Sequence, residues 1–355
     1  MFEIPHNRLT FSEAECDAVA RTVRSGHWAQ GPRVQELEAA LARMTGVQHA
    51  VCLASGFSAL RLSLGALGVR SSHSVLVPAY SCVALANAVL AWGANPVPID
   101  VEPGSWNLRP EFCREATSKH RPSALIAVNT FGMPALIDEF IATGVPVIED
   151  CAHAFGIACG GKFLGSRADV GILSFYATKL IGGGEGGAIL TNSTEIAGYI
   201  RSSRDYADQP ASPYRLNDKM NDLEASLVLS QLKRLPELIS ARESIANRYL
   251  DMLSDSQSAE LYRLPAKTKE RVWYRFVVEM LTESAKTVVD RLQRLGIHAD
   301  LPVNDWRPTG SPNAPVADRA YRQLVSLPLY PTLTSGEQNS VVTAFLKICE
   351  DSARG

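Results

Sequence analysis

What these 355 residues lack narrows their function first. There is no surplus of basic charge: 35 Lys and Arg stand against 37 Asp and Glu, a formal charge of −2, and no basic tract occurs. Neither nucleic acid nor an anionic membrane has an electrostatic reason to bind, so small-molecule chemistry is the better expectation. Nowhere do about eighteen apolar residues run uninterrupted, and the opening MFEIPHNRLTFSEAECDAV has no basic stretch followed by an apolar core. The seven cysteines are irregularly spaced and odd in number, with no CxxC pair. They are expected as reduced thiols of a cytoplasmic protein. Cys151, His153 and Cys159 find no second CxxC or HxxxH pair to complete a zinc site, so no metal is expected. Internal repeats and low-complexity tracts are also missing.

What is present is an alternation of strand-like and helix-like segments in a chain long enough for two domains. Ser12 to Arg24 and Pro32 to Met44 have helical periodicity, separated by the loop SGHWAQG, a candidate substrate edge. Ala50 to Leu53 reads as a strand, Ala59 to Leu67 as a helix, Val75 to Tyr80 as a strand and Cys82 to Trp92 as a helix. Pro96 to Asp100, Ala124 to Asn129 and Val145 to Asp150 continue the strands. This order predicts a mainly parallel sheet with helices on both faces and function at the carboxyl ends of its strands. Met220 to Arg234 and Glu237 to Leu253 read as two helices, with Pro236 in the first turn of the second. A domain boundary is placed there, giving a large domain over 1–235 and a small α+β domain over 236–355. In the latter, Val272 to Met280 reads as a strand, and Ala285 to Leu295 and Glu337 to Cys349 as helices.

Candidate functional residues cluster at strand ends. In SFYATKLIGGGEGGAILTN, Lys179 follows the strand-like run Val170 to Tyr176 and precedes glycines that let the backbone pass close to a neighbour. A lysine held at a sheet end can form a Schiff base with a carbonyl if its amine is kept free of its proton. Gly182, Gly184 and Gly187 satisfy GxGxxG, but a strand rather than a helix comes after them, which is the wrong context for a dinucleotide site. Asp150 closes a strand, where it can either cap a helix after it or hold a proton on a ring nitrogen. Ser55-Gly56-Phe57-Ser58 opens a helix after a strand, with amides that suit a phosphate or an ordinary serine cap.

Taken together, SGFSAL, VPAYSCVALANAV, IEDCAHAFG, SFYATK with GEGGAILTN, and RLNDKMNDLEASLVLSQLKRL resemble the DegT/DnrJ/EryC1/StrS sugar aminotransferase family. These enzymes have fold type I among pyridoxal-phosphate enzymes. The resemblance covers nearly the whole chain. It implies that Lys179 carries the cofactor, that Asp150 binds the pyridine nitrogen and that His153 lies near the ring hydroxyl. It further implies that Ser174 and the amides of Gly56, Phe57 and Ser58 bind the phosphate. Asn217 matches an asparagine that reaches the phosphate from a second subunit, so a homodimer with shared sites is expected.

Four positions depart from the family pattern. Phe57 replaces the threonine of SGT, and Cys82 stands where an aromatic stacks on the ring, with Tyr80 a nearby substitute only if the loop is rearranged. Lys219 replaces an arginine, and His298-Ala299-Asp300-Leu301-Pro302 lacks the family's His-Tyr pair. The implied reaction moves an amino group, with glutamate as the expected donor, to a nucleotide-linked keto-sugar. A keto-cyclitol acceptor, or a non-transaminating or regulatory relative, are the alternatives. The presence of Lys179 argues against the last two.

Overall fold

The computed structural model describes residues 3–207, 212 and 214–354. Part of the polar loop expected over Asp205 to Leu216 lies outside them. The chain opens with α1 (Glu13–Ser25) and α2 (Pro32–Thr45), then β1 (His49–Leu53), α3 (Gly56–Ala66), β2 (Ser74–Pro78) and α4 (Val83–Leu90). It continues through β3 (Asn95–Ile99), α5 (Pro110–His120), β4 (Ala124–Val128), α6 (Ile137–Ile141) and β5 (Val147–Asp150). A small hairpin, β6 (Ala158–Cys159) and β7 (Lys162–Phe163), precedes β8 (Val170–Ser174), β9 (Gly187–Thr191) and α7 (Thr194–Ser203). Then come α8 (Asp222–Ser254), β10 (Tyr262–Arg263), β11 (Phe276–Met280), α9 (Ala285–Arg294), α10 (Pro315–Gln323), β12 (Leu324–Leu327) and α11 (Ser335–Arg354).

The large sheet runs β1-β9-β8-β5-β4-β2-β3, parallel except that β9 pairs antiparallel with both β1 and β8. Strand residues alternate between two cores because successive side chains point to opposite faces. Val75, Val77, Ile126 and Ile148 pack with Leu60 and Leu64 of α3, Val89 of α4 and Ile200 of α7. Their neighbours Leu76, Leu125 and Val147 pack on the other side with Cys113 of α5 and Phe140 of α6. Helices therefore cover both faces, as the alternation predicts. A smaller antiparallel sheet, β10-β11-β12, is packed by α9, α11 and the second half of α8.

The two helices expected around Pro236 are one, α8, 33 residues long with the proline inside. An interior proline removes one hydrogen bond and crowds the preceding turn, at about 3 kcal/mol. Burial on both sides outweighs this: Leu235 and Leu238 are 1% and 3% exposed, and each buried leucine contributes roughly 1.5 to 3 kcal/mol. The first half of α8 belongs to a core with α2 and β8, through Ala225 and Val228. Its second half, with Ala246, Tyr249 and Leu253, belongs to the core of the small sheet, where Ile4 from the chain start also packs. Among the described residues no helix is long and apolar enough to cross a membrane, and all seven cysteines are free thiols.

Candidate active site

Asp150 ends β5 in register with Val128 of β4 and Ile172 of β8, so it emerges at the carboxyl edge in mid-sheet. Ser174 ends β8, and α3 begins beside it. A Cβ on Gly56 would stand 2.9 Å from the Cβ of Ser174, so only glycine lets the helix start come this near the strand end. The Lys179 segment returns to the sheet through β9, and there too glycine is required. A Cβ on Gly187 would lie 2.5 Å from the backbone of Ser55. The glycines expected to let the backbone pass close to a neighbour do so against the chain itself: Gly182 abuts Ala177, Gly183 abuts Val228 and Glu185, and Gly187 abuts Ser55.

Seven of the nine residues singled out in the sequence line one cavity of about 200 Å³: Gly56, Phe57, Cys82, Asp150, His153, Ser174 and Lys179. Ser58 is buried outside the lining, and its amide donates to Ser55 Oγ at 3.0 Å, the ordinary serine cap. The amides of Gly56 and Phe57, in the first turn, have no intrahelical partner and are the candidate anion donors there. Asn217 is exposed and is not part of this cavity. Its neighbour Asp218 is fixed by an ion pair with Arg61, and the Asp218 carbonyl accepts the Ala54 amide at 2.8 Å. Lys219 pairs with Asp205 at 2.7 Å.

Asp150 is only 5% exposed. One carboxylate oxygen accepts the Ala152 amide at 2.9 Å; no helix begins there, so the helix-cap reading does not apply. Burial raises its pKa, an effect the Ala152 amide and the Lys179 charge oppose. Lys179 Nζ lies 4.9 Å from the centroid of the Tyr274 ring and makes no ion pair among the described residues. His153 is stacked on Tyr274, centroids 4.3 Å apart, and its Nδ1 accepts the Phe131 amide at 3.4 Å. Burial, then Lys179 and Arg275, push its pKa well down, so the ring is neutral. Tyr80 is buried, edge-on to Tyr321 at 4.8 Å, and its hydroxyl finds no partner among the described residues. It lines the same cavity as Cys82.

Tyr274 and Arg275 are the site residues that sequence reasoning missed. The strand expected from Val272 begins only at Phe276, and the stretch before it is bent into the site. Its anchor is Gly132, at φ +86, whose carbonyl accepts the Val272 amide at 3.0 Å; a Cβ there would meet the Val272 carbonyl oxygen at 1.7 Å. Burial alone would raise the Tyr274 hydroxyl, but Lys179, Arg275 and hydrogen bonds with Thr178 and Arg275 outweigh it and bring its pKa to about 8. The one available signal was an arginine inside the otherwise apolar run VWYRFVV.

A buried carboxylate and a lysine without an ion pair among the described residues face one cavity at the carboxyl edge of a mostly parallel sheet, beside a helix start whose first two amides have no intrahelical partner. That donor set fits pyridoxal phosphate: an anion site at one end, an acid for a ring nitrogen and an amine for the aldehyde. The fold and site together define a fold type I pyridoxal-phosphate enzyme. The family model described as the DegT/DnrJ/EryC1/StrS aminotransferase family matches residues 10–346, and the chain belongs to that family. It is a pyridoxal-phosphate-dependent aminotransferase. The chain is similar to DesV of S. venezuelae, at 28% identity over 99% of both chains with a TM-score of 0.89. It is also similar to the aminotransferase TlmJ of Streptoalloteichus hindustanus, at 28% identity over 98% of both chains with a TM-score of 0.90. Spr1654 of Streptococcus pneumoniae, solved in a PLP form, shares the fold, with a TM-score of 0.91 at 24% identity over 99% of this chain and 100% of that one.

Proposed function

We propose that this aminotransferase takes the amino group of glutamate and delivers it to a keto-sugar carried on a nucleotide, as a cytoplasmic homodimer with shared active sites. The observation that carries the reading is the placing of Lys179, without an ion pair among the described residues, and buried Asp150 in a single cavity. Bound pyridoxal phosphate supplies the sink for the electron pair left when the donor Cα loses its proton. Lys179 would take that proton at Cα and deliver it to the cofactor carbon that receives the amino group, and would repeat the steps in reverse for the acceptor. Asp150 holds a proton on the ring nitrogen. Gly56 and Phe57 amides and the Ser174 hydroxyl bind the phosphate, and neutral His153 sits near the ring hydroxyl. To test the function, purified protein loaded with the cofactor is mixed with glutamate and its visible absorbance is tracked. The absorbance should fall and then return with a nucleotide-linked keto-sugar. Return only with a keto-cyclitol would overturn the acceptor assignment, and no fall with glutamate would overturn the donor.

The homodimer reading rests on the family resemblance of Asn217 and on apolar side chains at the cavity. Phe57 and Tyr176 line it while 40% and 48% exposed, and Val83, next to Cys82, is 47% exposed, a surface suited to a second copy. Seven free thiols suit a reducing compartment. If Asn217 completes the partner's phosphate site, inactive Lys179→Ala and Asn217→Ala chains should complement each other when subunits exchange. The heterodimer then has one site with both lesions and one with neither. Activity approaching that of one intact site per heterodimer is the expected result; no gain despite demonstrated exchange refutes sharing.

A further inference from the structure

Next to the cofactor cavity is a second, polar cavity of about 260 Å³ bounded by Tyr176, Thr178, Tyr274, Arg275, His6 and Asp300, among others. Tyr176 lines both cavities, so they meet beside the segment that carries Lys179. Arg275 dominates the chemistry of this space. Its guanidinium carbon is 5.6 Å from the Tyr274 ring centroid, on the ring that Lys179 Nζ approaches at 4.9 Å. Among the described residues it forms no ion pair, and its Nη1 is buried without a hydrogen-bond partner. Asp300, exposed at the same cavity, does not neutralise it, and His6 is held neutral, its Nε2 2.9 Å from Ser326 Oγ and its pKa pulled to about 3 by burial and by Arg275. An arginine desolvated at one nitrogen, with no carboxylate of its own and beside a lysine, awaits an anion.

We infer that Arg275 binds a carboxylate of the amino donor, and so selects an amino acid for the first half of the reaction. The inference rests on the aminotransferase reading. The donor Cα must present its proton to Lys179, and an amino acid carries its carboxylates on or within a few bonds of that carbon. A nucleotide-linked sugar holds its phosphates beyond the sugar ring, farther from the reacting atom. The planar guanidinium fork also matches a carboxylate with two parallel hydrogen bonds, which lysine cannot reproduce. Asp300 at the cavity would repel a doubly charged phosphate more strongly than a single carboxylate. The donor gives up its Cα proton to Lys179 and its amino group to the cofactor; Arg275 takes no part in bond making and is a specificity-determining residue.

The test uses the cofactor-loaded enzyme and its Arg275→Met and Arg275→Lys variants, each first shown to melt within a few degrees of wild type. Glutarate, a dicarboxylate without an amine, is titrated by calorimetry, and the glutamate and acceptor half-reactions are timed separately. Arg275→Met should weaken glutarate at least tenfold and lower kcat/KM for glutamate about a hundredfold, mainly through KM, leaving the acceptor half-reaction within twofold. Arg275→Lys should recover part of the loss. An equal loss with L-glutamine places the α-carboxylate on Arg275, whereas a loss confined to glutamate places the side-chain carboxylate there; both support the inference. Unchanged glutarate and glutamate constants overturn it, as does a defect confined to the acceptor step, which would assign the arginine to a phosphate. Failure of wild type to bind glutarate overturns it also. Glutarate binding that depends on Arg275 in an enzyme inert to amino donors sinks the transamination reading and leaves the carboxylate site standing.

Discussion

Lys179→Ala is expected to lower transamination by about 10⁴-fold or more, because one amine serves as the attachment point and as the acid–base group. The fold should survive the change. Lys179 is partly exposed, makes no ion pair among the described residues and has its Nζ 4.9 Å from the centroid of the Tyr274 ring, a contact worth roughly 0.5 to 2 kcal/mol. The variant offers a readout that needs no cofactor. The Lys179 charge is the largest of the influences that lower the Tyr274 pKa to about 8, so its removal must raise that pKa. Phenolate absorbance measured against pH should show one tyrosine titrating near 8 in wild type and later in the variant. In the loaded wild type, borohydride reduction should fix the cofactor to the peptide containing Lys179. Label on another lysine, or activity within tenfold of wild type, would refute the assignment.

The sheet and most of this site were legible because their signals are local. The runs ending at Asp150 and Ser174 are short, apolar and strand-like, and the residues at their ends necessarily meet at one edge once the strands are parallel and adjacent. Seven positions chosen from motifs therefore came together without any long-range information. Most of the failures are cases in which distant chain decides. Pro236 stops a helix by local rules, yet α8 runs through it because two separate cores bury its two halves. Ser58 is spent on Ser55, a choice between cap and ligand that the sequence SGFS leaves open. Arg275 enters the site only because Val272 is tied to Gly132, some 140 positions away in the chain, which bends the start of a run that otherwise reads as strand. α10 was missed for a related reason. Its N-terminus is satisfied by Asp100, which accepts the amides of Val316 and Ala317, rather than by a capping residue of its own.

Asp150→Asn should separate catalysis from stability in opposite directions. Asparagine keeps the shape and can still accept the Ala152 amide through its carbonyl oxygen, so the turn after β5 is preserved. It cannot, however, hold a positive charge on the ring nitrogen, and without that charge the electron pair released at Cα has no low-energy destination. Proton abstraction from glutamate should slow by about 10² to 10³-fold or more, read as the rate of absorbance loss in a single turnover. Stability of the cofactor-free protein moves the other way. Burial raises the pKa of Asp150 in the folded state above its unfolded value, so through that interval the folded state holds more protons than the unfolded state. Its contribution to stability is therefore full below the unfolded carboxyl pKa and is lost as pH rises through the folded one, the cost of ionising a buried carboxyl. Asparagine does not ionise and escapes that loss. Cofactor-free Asp150→Asn should accordingly melt at or above the wild-type temperature at neutral pH, with the difference vanishing in acid. Once loaded with pyridoxal phosphate, the wild type should regain the advantage, since the ring cation then favours the ionised carboxylate. A variant that transaminates at a near-normal rate, or one destabilised at neutral pH without cofactor, would show that Asp150 is a structural carboxylate and not the partner of the ring nitrogen.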